Sequence, residues 1–398
     1  MSILTPPLSK RGILKALGQD PSKSDVLTVS TNSNGGARLS SALPVARLSY
    51  DRAPAEDIPT VTDPHAPDYS NAIVSLALNS PRFRMFGARV FAQTDALWWW
   101  NNSAQAVPSL NSHFFFEFIT DASWFKMRVN PLTYDSKAKY MMWVDGKMCW
   151  PDLQQSGNSI HAIKFEWATA KTRRIVMLAA GVGQLSFPEY CSISAPADPL
   201  GPRYMAVGDS YGTGADGWQF RLGAMLGYKD MHKSGEGGTG YVQTNTPRVS
   251  FLDRIDAEVI AARPDDVFFL GSLNDMAQSP DAVYANARAC YSKIAAALPN
   301  ARIWVAGPQW PSSAANTQKD AIEDAVRRAC SEVSAVKAYV STKGWILGTG
   351  SVSANDTSST LNNCNTVVAA DLTHLVPAAN NWYARRLADA FQAAGHYL

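Results

Sequence analysis

The chain has 398 residues, 46% of them apolar and 18% charged, with a net charge of +2. That length allows more than one packed domain, and the low charged share argues against disorder. The near-neutral balance gives no basic field for nucleic acid or an anionic membrane surface, and no apolar run reaches the length of a bilayer span.

Residues 1–60 are rich in Ser, Thr, Pro, Asn and Gly and keep no helical period. They predict an extended arm with a short helix near Gly12–Leu17, either mobile or pinned along a partner such as a second copy. The first residues lack an apolar core followed by a small-residue cleavage site, so no secretory signal is expected. Residues 61–195 read as β: His113–Ile119, Trp124–Val129, Tyr140–Val144 and Arg174–Ala180 are short runs rich in aromatic and β-branched residues, separated by turn signals. Many short strands at this spacing predict an all-β sandwich of the jelly-roll kind. Val144-Asp145-Gly146-Lys147 has the chemistry of a tight hairpin. Trp98-Trp99-Trp100 cannot all face one side of a strand. At least one is expected to pack against a neighbouring domain or to form a platform for a sugar.

Residues 196–202 lie within a stretch rich in Pro and Gly, Ser194–Arg203, and read as a linker. From 203 to 398 strand-like and helix-like segments alternate. Strands are predicted at Tyr204–Val207, Asp230–Lys233, Val267–Leu270, Ile303–Ala306 and Val336–Val340. Helices are predicted at Gly217–Leu226, Phe251–Ala262, Ser279–Leu298, Ala315–Val333 and Ala379–Ala394. That rhythm predicts an α/β unit with a parallel sheet and helices on both faces. Residues 341–371 break it with a long polar loop, a length usual for functional segments. The five cysteines show no C-x-x-C spacing and read as free thiols.

The candidate chemistry begins where the first of these strands stops, at Gly208-Asp209-Ser210. A serine there sits at the carboxyl edge of the sheet, beside backbone N–H groups that can stabilise negative charge. An N-cap would have the same residues without any chemistry. A serine nucleophile needs a base. Of the six histidines only His374 has an aspartate three positions earlier, Asp371, which can fix its tautomer. Backbone and side-chain donors for an oxyanion are offered by Gly235–Gly240 and by Asn274, which follows a strand end. Trp310, after another strand end, and Asp209 are candidates for contacting substrate.

In this order, the segments GDSYGTG, GGTG, Gly271-Ser272-Leu273-Asn274-Asp275 and Asp371-Leu372-Thr373-His374 resemble the four blocks of the SGNH hydrolases, also called GDSL esterases. The resemblance covers about residues 203–398. It departs at Ser272, where the family's third block usually has glycine, and after His374, where a proline often follows. It implies a flavodoxin-like three-layer α/β/α fold and ester hydrolysis with no cofactor or metal. By it Ser210 is the nucleophile, His374 the base and Asp371 its orienter. Ser210, Gly238 and Asn274 are the oxyanion donors, with Gly240 as the fallback glycine. An SGNH unit behind a β-sandwich is similar to the carbohydrate deacetylases of the family and to esterase modules of bacteriophage tails. The implied activity is removal of short acyl groups, such as O-acetyl, from a polysaccharide at a cell surface by a tail-associated protein. Without the virion the chain would be cytoplasmic. The alternatives are a lipase or thioesterase on small hydrophobic esters, or a non-catalytic virion or glycan-binding protein.

Overall fold

In the computed structural model the residues described are 29–31, 48–62, 74–87, 91–94, 98–101, 113–129, 139–154, 161–179, 181–212, 217–356 and 362–398. The helix expected near Gly12–Leu17 falls outside them. Among these residues the chain forms one mainly parallel sheet and two mainly antiparallel sheets, one of which takes Ser49–Arg52 parallel to Lys147–Gln154 at its edge.

Five strands of the first sheet are parallel, and in space they run Val336–Val340, Arg302–Ala306, Asp266–Leu270, Arg203–Gly208, Asp230–Gly235. Numbered along the chain and read from the opposite edge, that order is 2-1-3-4-5, the flavodoxin-like doubly wound arrangement. Arg203–Gly208 is therefore the strand at which the winding reverses, and such a fold opens its crevice there. The strands end in line: Leu270 pairs with Ala306 and Ala306 with Val340, while Gly208 pairs with Gly235.

Each strand buries both faces, which is why it reads as a continuous apolar run. Tyr204, Ala206, Phe268, Leu270, Trp304 and Ala306 share one core with the helices Trp218–Met225 and Pro377–Ala393. Met205, Val207, Val267, Phe269, Ile303 and Val305 share the other with Phe251, Ile255 and the helices Pro280–Ala297 and Thr317–Ser331. The helix expected over Phe251–Ala262 is not one regular helix. It is an α-turn at Phe251–Arg254, a wider π-turn at Ile255–Val259 and a tight 3₁₀ turn at Ile260–Ala262.

The two mainly antiparallel sheets face each other across a third core of Phe114, Phe116, Phe118, Phe125, Phe165 and Phe187. Strand Phe114–Thr120 alternates strictly. Phe114, Phe116 and Phe118 point into that core, while Phe115 packs edge-on to Phe220 of the helix Trp218–Met225 at 5.3 Å. Glu117, on the same side as Phe115, is fully buried and meets Lys229 at 2.7 Å, Arg174 at 2.9 Å and Arg84. Asp145 and Gly146 take left-handed torsions (φ 48° and 79°) at the hairpin between Lys139–Val144 and Lys147–Gln154. Trp98–Asn101 is a strand between Phe91–Thr94 and Val182–Phe187; where its side chains point lies outside the described residues.

Parts of the stretch expected as an arm are strands of these sheets. Val29–Thr31 lies antiparallel along the edge strand Val336–Val340, Ser49–Arg52 pairs with Lys147–Gln154, and Thr60–Thr62 pairs with His161–Glu166. They are three or four residues long and carry no period of their own. What holds them is the row of unpaired backbone groups that a sheet edge presents.

Candidate active site

The strand leading to Ser210 stops at Gly208, and Ser210–Gly212 forms a single 3₁₀ turn; the next α-helix is Trp218–Met225. The turn is closed by the Gly212 N–H on the Asp209 carbonyl (3.0 Å) and by the Tyr211 N–H on Asp209 Oδ1 (3.1 Å). It can lie this close to the neighbouring strand end because residue 235 is glycine. A Cβ there would stand 2.7 Å from the Gly212 carbonyl oxygen.

His374 arrives from the far end of the chain. Val368 and Leu375 form an antiparallel bridge, and the Ala369 N–H bonds the His374 carbonyl at 2.7 Å, so 369–374 closes as a tight loop. Within it Leu372 adopts a left-handed φ of 59°. Asp371 folds back: Oδ1 accepts the N–H groups of Thr373 (3.0 Å) and His374 (2.9 Å), and Oδ2 lies 2.7 Å from His374 Nδ1. The other ring nitrogen, Nε2, lies 2.8 Å from Ser210 Oγ. Burial pushes the Asp371 carboxyl up, but the imidazole and the two backbone N–H groups outweigh it and hold the group below its ordinary value. With Oδ2 on Nδ1, the tautomer that donates from Nδ1 leaves Nε2 as an acceptor for the serine proton.

The glycine-rich loop closes on the other side of the serine. A Cβ on Gly237 would be 3.6 Å from the Ser210 Cβ. The Gly237 carbonyl accepts from Arg248 Nη1 (3.1 Å) and Asn245 Nδ2 (3.3 Å). Across a trans peptide the next N–H points the opposite way, so these two donors set the direction of the Gly238 N–H. Gly238 has a φ of 77°, and a Cβ there would strike Asn245 Nδ2 at 2.4 Å; both conditions call for glycine. Gly240 has a different task. Its N–H bonds the Gln243 carbonyl at 2.9 Å, and the Asp275 carboxylate occupies the space that a Cβ would need. Asn274 stands at the start of the turn Leu273–Ala277, and its Nδ2 donates to the Thr239 carbonyl at 2.9 Å. That bond uses one amide hydrogen and leaves the second for another acceptor.

Ser210, His374, Asp371, Gly238 and Asn274 thus come together from segments far apart in the chain. Two other residues singled out in the sequence do not face an open site. Asp209 is 3% exposed, with Ser272 Oγ 3.0 Å from its Oδ2. Burial first of all drives its carboxyl up, to about 6, against the bonds from Tyr211 and Ser272. Trp310 is 5% exposed and gives its indole N–H to Glu323 at 3.1 Å. Each finds its hydrogen-bond partner inside the protein, which is what a buried polar group requires.

Several residues of the site were not assigned a part from the sequence. Tyr211 packs its ring against His374 (centroids 5.2 Å apart) and donates its hydroxyl to the Thr373 carbonyl at 2.5 Å. Asp275, fully buried, accepts the N–H groups of Tyr241, Val242 and Gln243 at 2.8, 3.1 and 2.9 Å and so pins the end of the glycine loop. Asn245 and Arg248 orient the Gly237 carbonyl. Only the Asp next to Asn274 had a signal in the sequence; the others became visible through their partners.

No family model matches this sequence, and no curated protein matches it. Solved structures do match in fold. The salicylyl-acyltransferase SsfX3 from a tetracycline biosynthetic pathway superimposes with a TM-score of 0.60 at 12% identity, over 81% of this chain and 97% of that one. A family two carbohydrate esterase from Cellvibrio japonicus gives 0.55 at 11%, over 84% and 99%. A protein described as a GDSL-like lipase from Bacteroides ovatus gives 0.58 at 10%, over 81% and 97%. At these identities the likeness is one of fold, and it spans nearly the whole of each neighbour.

Proposed function

We propose that this chain is a serine esterase of the SGNH type that removes short acyl groups, O-acetyl above all, from a polysaccharide. The observation that carries the reading is the line from Asp371 through His374 to Ser210, with contacts of 2.7 and 2.8 Å. Ser210 Oγ attacks the ester carbonyl while His374 Nε2 takes its proton. Asp371 holds the ring and supports the positive charge that develops on it. The negative charge on the former carbonyl oxygen is met by the N–H groups of Ser210 and Gly238 and by the second amide hydrogen of Asn274. The alcohol leaves with the proton from His374, giving an acyl-serine. His374 then draws a proton from water, the water attacks the acyl carbon, and the acid departs as Ser210 is restored.

The substrate class rests on the fold likeness to carbohydrate esterases and on the antiparallel sheets packed beside the parallel one. The test has two arms. Hydrolysis of p-nitrophenyl acetate, lost in Ser210→Ala with the circular dichroism unchanged, establishes the chemistry; equal rates in wild type and variant refute it. Acetate release from acetylated capsular or O-antigen glycans, compared with hydrolysis of longer acyl esters, then separates a deacetylase from a lipase-like enzyme.

A further inference from the structure

Ser272 occupies the one position of the third block where this chain departs from the pattern, and its contacts are unusually dense. It is 1% exposed. Its Oγ lies 3.0 Å from Asp209 Oδ2 and 2.8 Å from the Thr239 carbonyl, and it accepts the Asn274 N–H at 3.1 Å. The same Thr239 carbonyl accepts Asn274 Nδ2. One oxygen therefore joins three segments: the turn carrying Ser210, the loop carrying Gly238 and the turn carrying Asn274.

A hydroxyl has one proton, and here two acceptors lie within reach of it. With Asp209 ionised, the proton goes to the carboxylate in a charge-assisted bond. With Asp209 protonated, the acid donates to Oγ and Oγ donates to the Thr239 carbonyl. The three segments stay joined in both states, but the second state grips the Thr239 carbonyl twice. The charged and titratable groups acting on Asp209 are His374, Asp275, Tyr211, Tyr383 and Arg254. None of them hydrogen-bonds to Asp209 Oδ2 among the described residues, so Ser272 is the group that answers its change of charge.

We propose that Ser272 is a positioning residue, whose hydroxyl fixes the Asn274 amide and the Gly238–Thr239 backbone relative to Ser210 and so sets the oxyanion hole. The inference rests on the esterase reading. Its test is Ser272→Ala, with kcat and KM for a short acyl ester measured from acid to mildly alkaline pH. The expected result is a kcat lower by about 10–100-fold, a fraction of what loss of a donor itself costs, with KM little changed. The step in kcat that accompanies Asp209 ionisation should also move. A wild-type kcat in the variant, or a pH profile that superimposes on the wild type after scaling, overturns the proposal. Should wild type hydrolyse no ester, the functional reading falls by itself. Ser272 is then read by carbon NMR titration of the Asp209 carboxyl, which must shift between wild type and Ser272→Ala; coincident titrations overturn the inference.

Discussion

Asp209→Asn turns the burial of a carboxyl beside Ser210 into a measurable quantity. Asn keeps the shape, keeps an acceptor for the Tyr211 N–H, and gives Ser272 Oγ a donor in place of the acid's proton. What it removes is the negative charge. In the folded chain burial raises the Asp209 carboxyl from 3.8 to about 6. A folded-state value above the unfolded one means that folding favours the protonated acid. Its stabilising contribution is therefore complete below the unfolded value and is lost as the pH rises through the folded one. The gap, 6 − 3.8 = 2.2 pH units, corresponds at roughly 1.4 kcal/mol per unit to about 3 kcal/mol. Wild type and Asp209→Asn should thus unfold with similar free energies at strongly acid pH. By neutral pH the variant should be the more stable by about 3 kcal/mol. Urea unfolding of both proteins at a series of pH values measures the difference directly. Two curves that run parallel from acid to neutral pH would refute the reasoning, since they would mean that Asp209 titrates alike in the folded and unfolded chain.

Asn274→Ala should lower kcat by about 10²–10³-fold with KM nearly unchanged, because its free amide hydrogen acts on charge that appears only in the transition state; steady-state kinetics on p-nitrophenyl acetate reads this. Gly235→Ala puts a methyl 2.7 Å from the Gly212 carbonyl oxygen. Both atoms belong to backbone-fixed positions, so the Ser210 turn must shift, and the proposed esterase activity should fall by a larger fraction than the stability does. Glu117→Gln takes the buried carboxylate away from Lys229, Arg84 and Arg174 and leaves them only the more exposed Asp198, 3.8 Å from Lys229 and 2.9 Å from Arg174. Breaking a buried pair costs about 3–5 kcal/mol where the remaining charge is uncompensated, and Asp198 offsets part of that, so thermal unfolding should begin at a lower temperature; an unchanged midpoint would contradict the packing described.

The parallel sheet was legible because its strands are buried on both faces and its helices carry an apolar stripe. Both patterns are local and repeat within a few residues, so the observed strands begin and end within a residue or two of the expected ones. The short strands at Val29–Thr31, Ser49–Arg52 and Thr60–Thr62 were not legible. Their only reason to be strands is the edge they meet, and that edge is made by residues far away in the chain. Phe251–Ala262 was legible as helical but not as three different turns.

The sequence alone determined which residue types can do the chemistry and in what order they come. Ser210, His374, Asp371 and Asn274 announce themselves through short-range neighbours, a strand that stops or a carboxylate one turn back, while a run of glycines marks 235–240 and only the resemblance picks Gly238 out of it. Tertiary structure alone decided what surrounds them. Asp209 and Trp310 turned inward, Gly240 became a seat for Asp275, and Ser272 became the shared partner of three loops. The physical reason is that a hydrogen bond between residues 33 or 63 positions apart leaves no mark on either local segment. It exists only once the sheet has brought the strand ends together and burial has made every polar atom there find a partner.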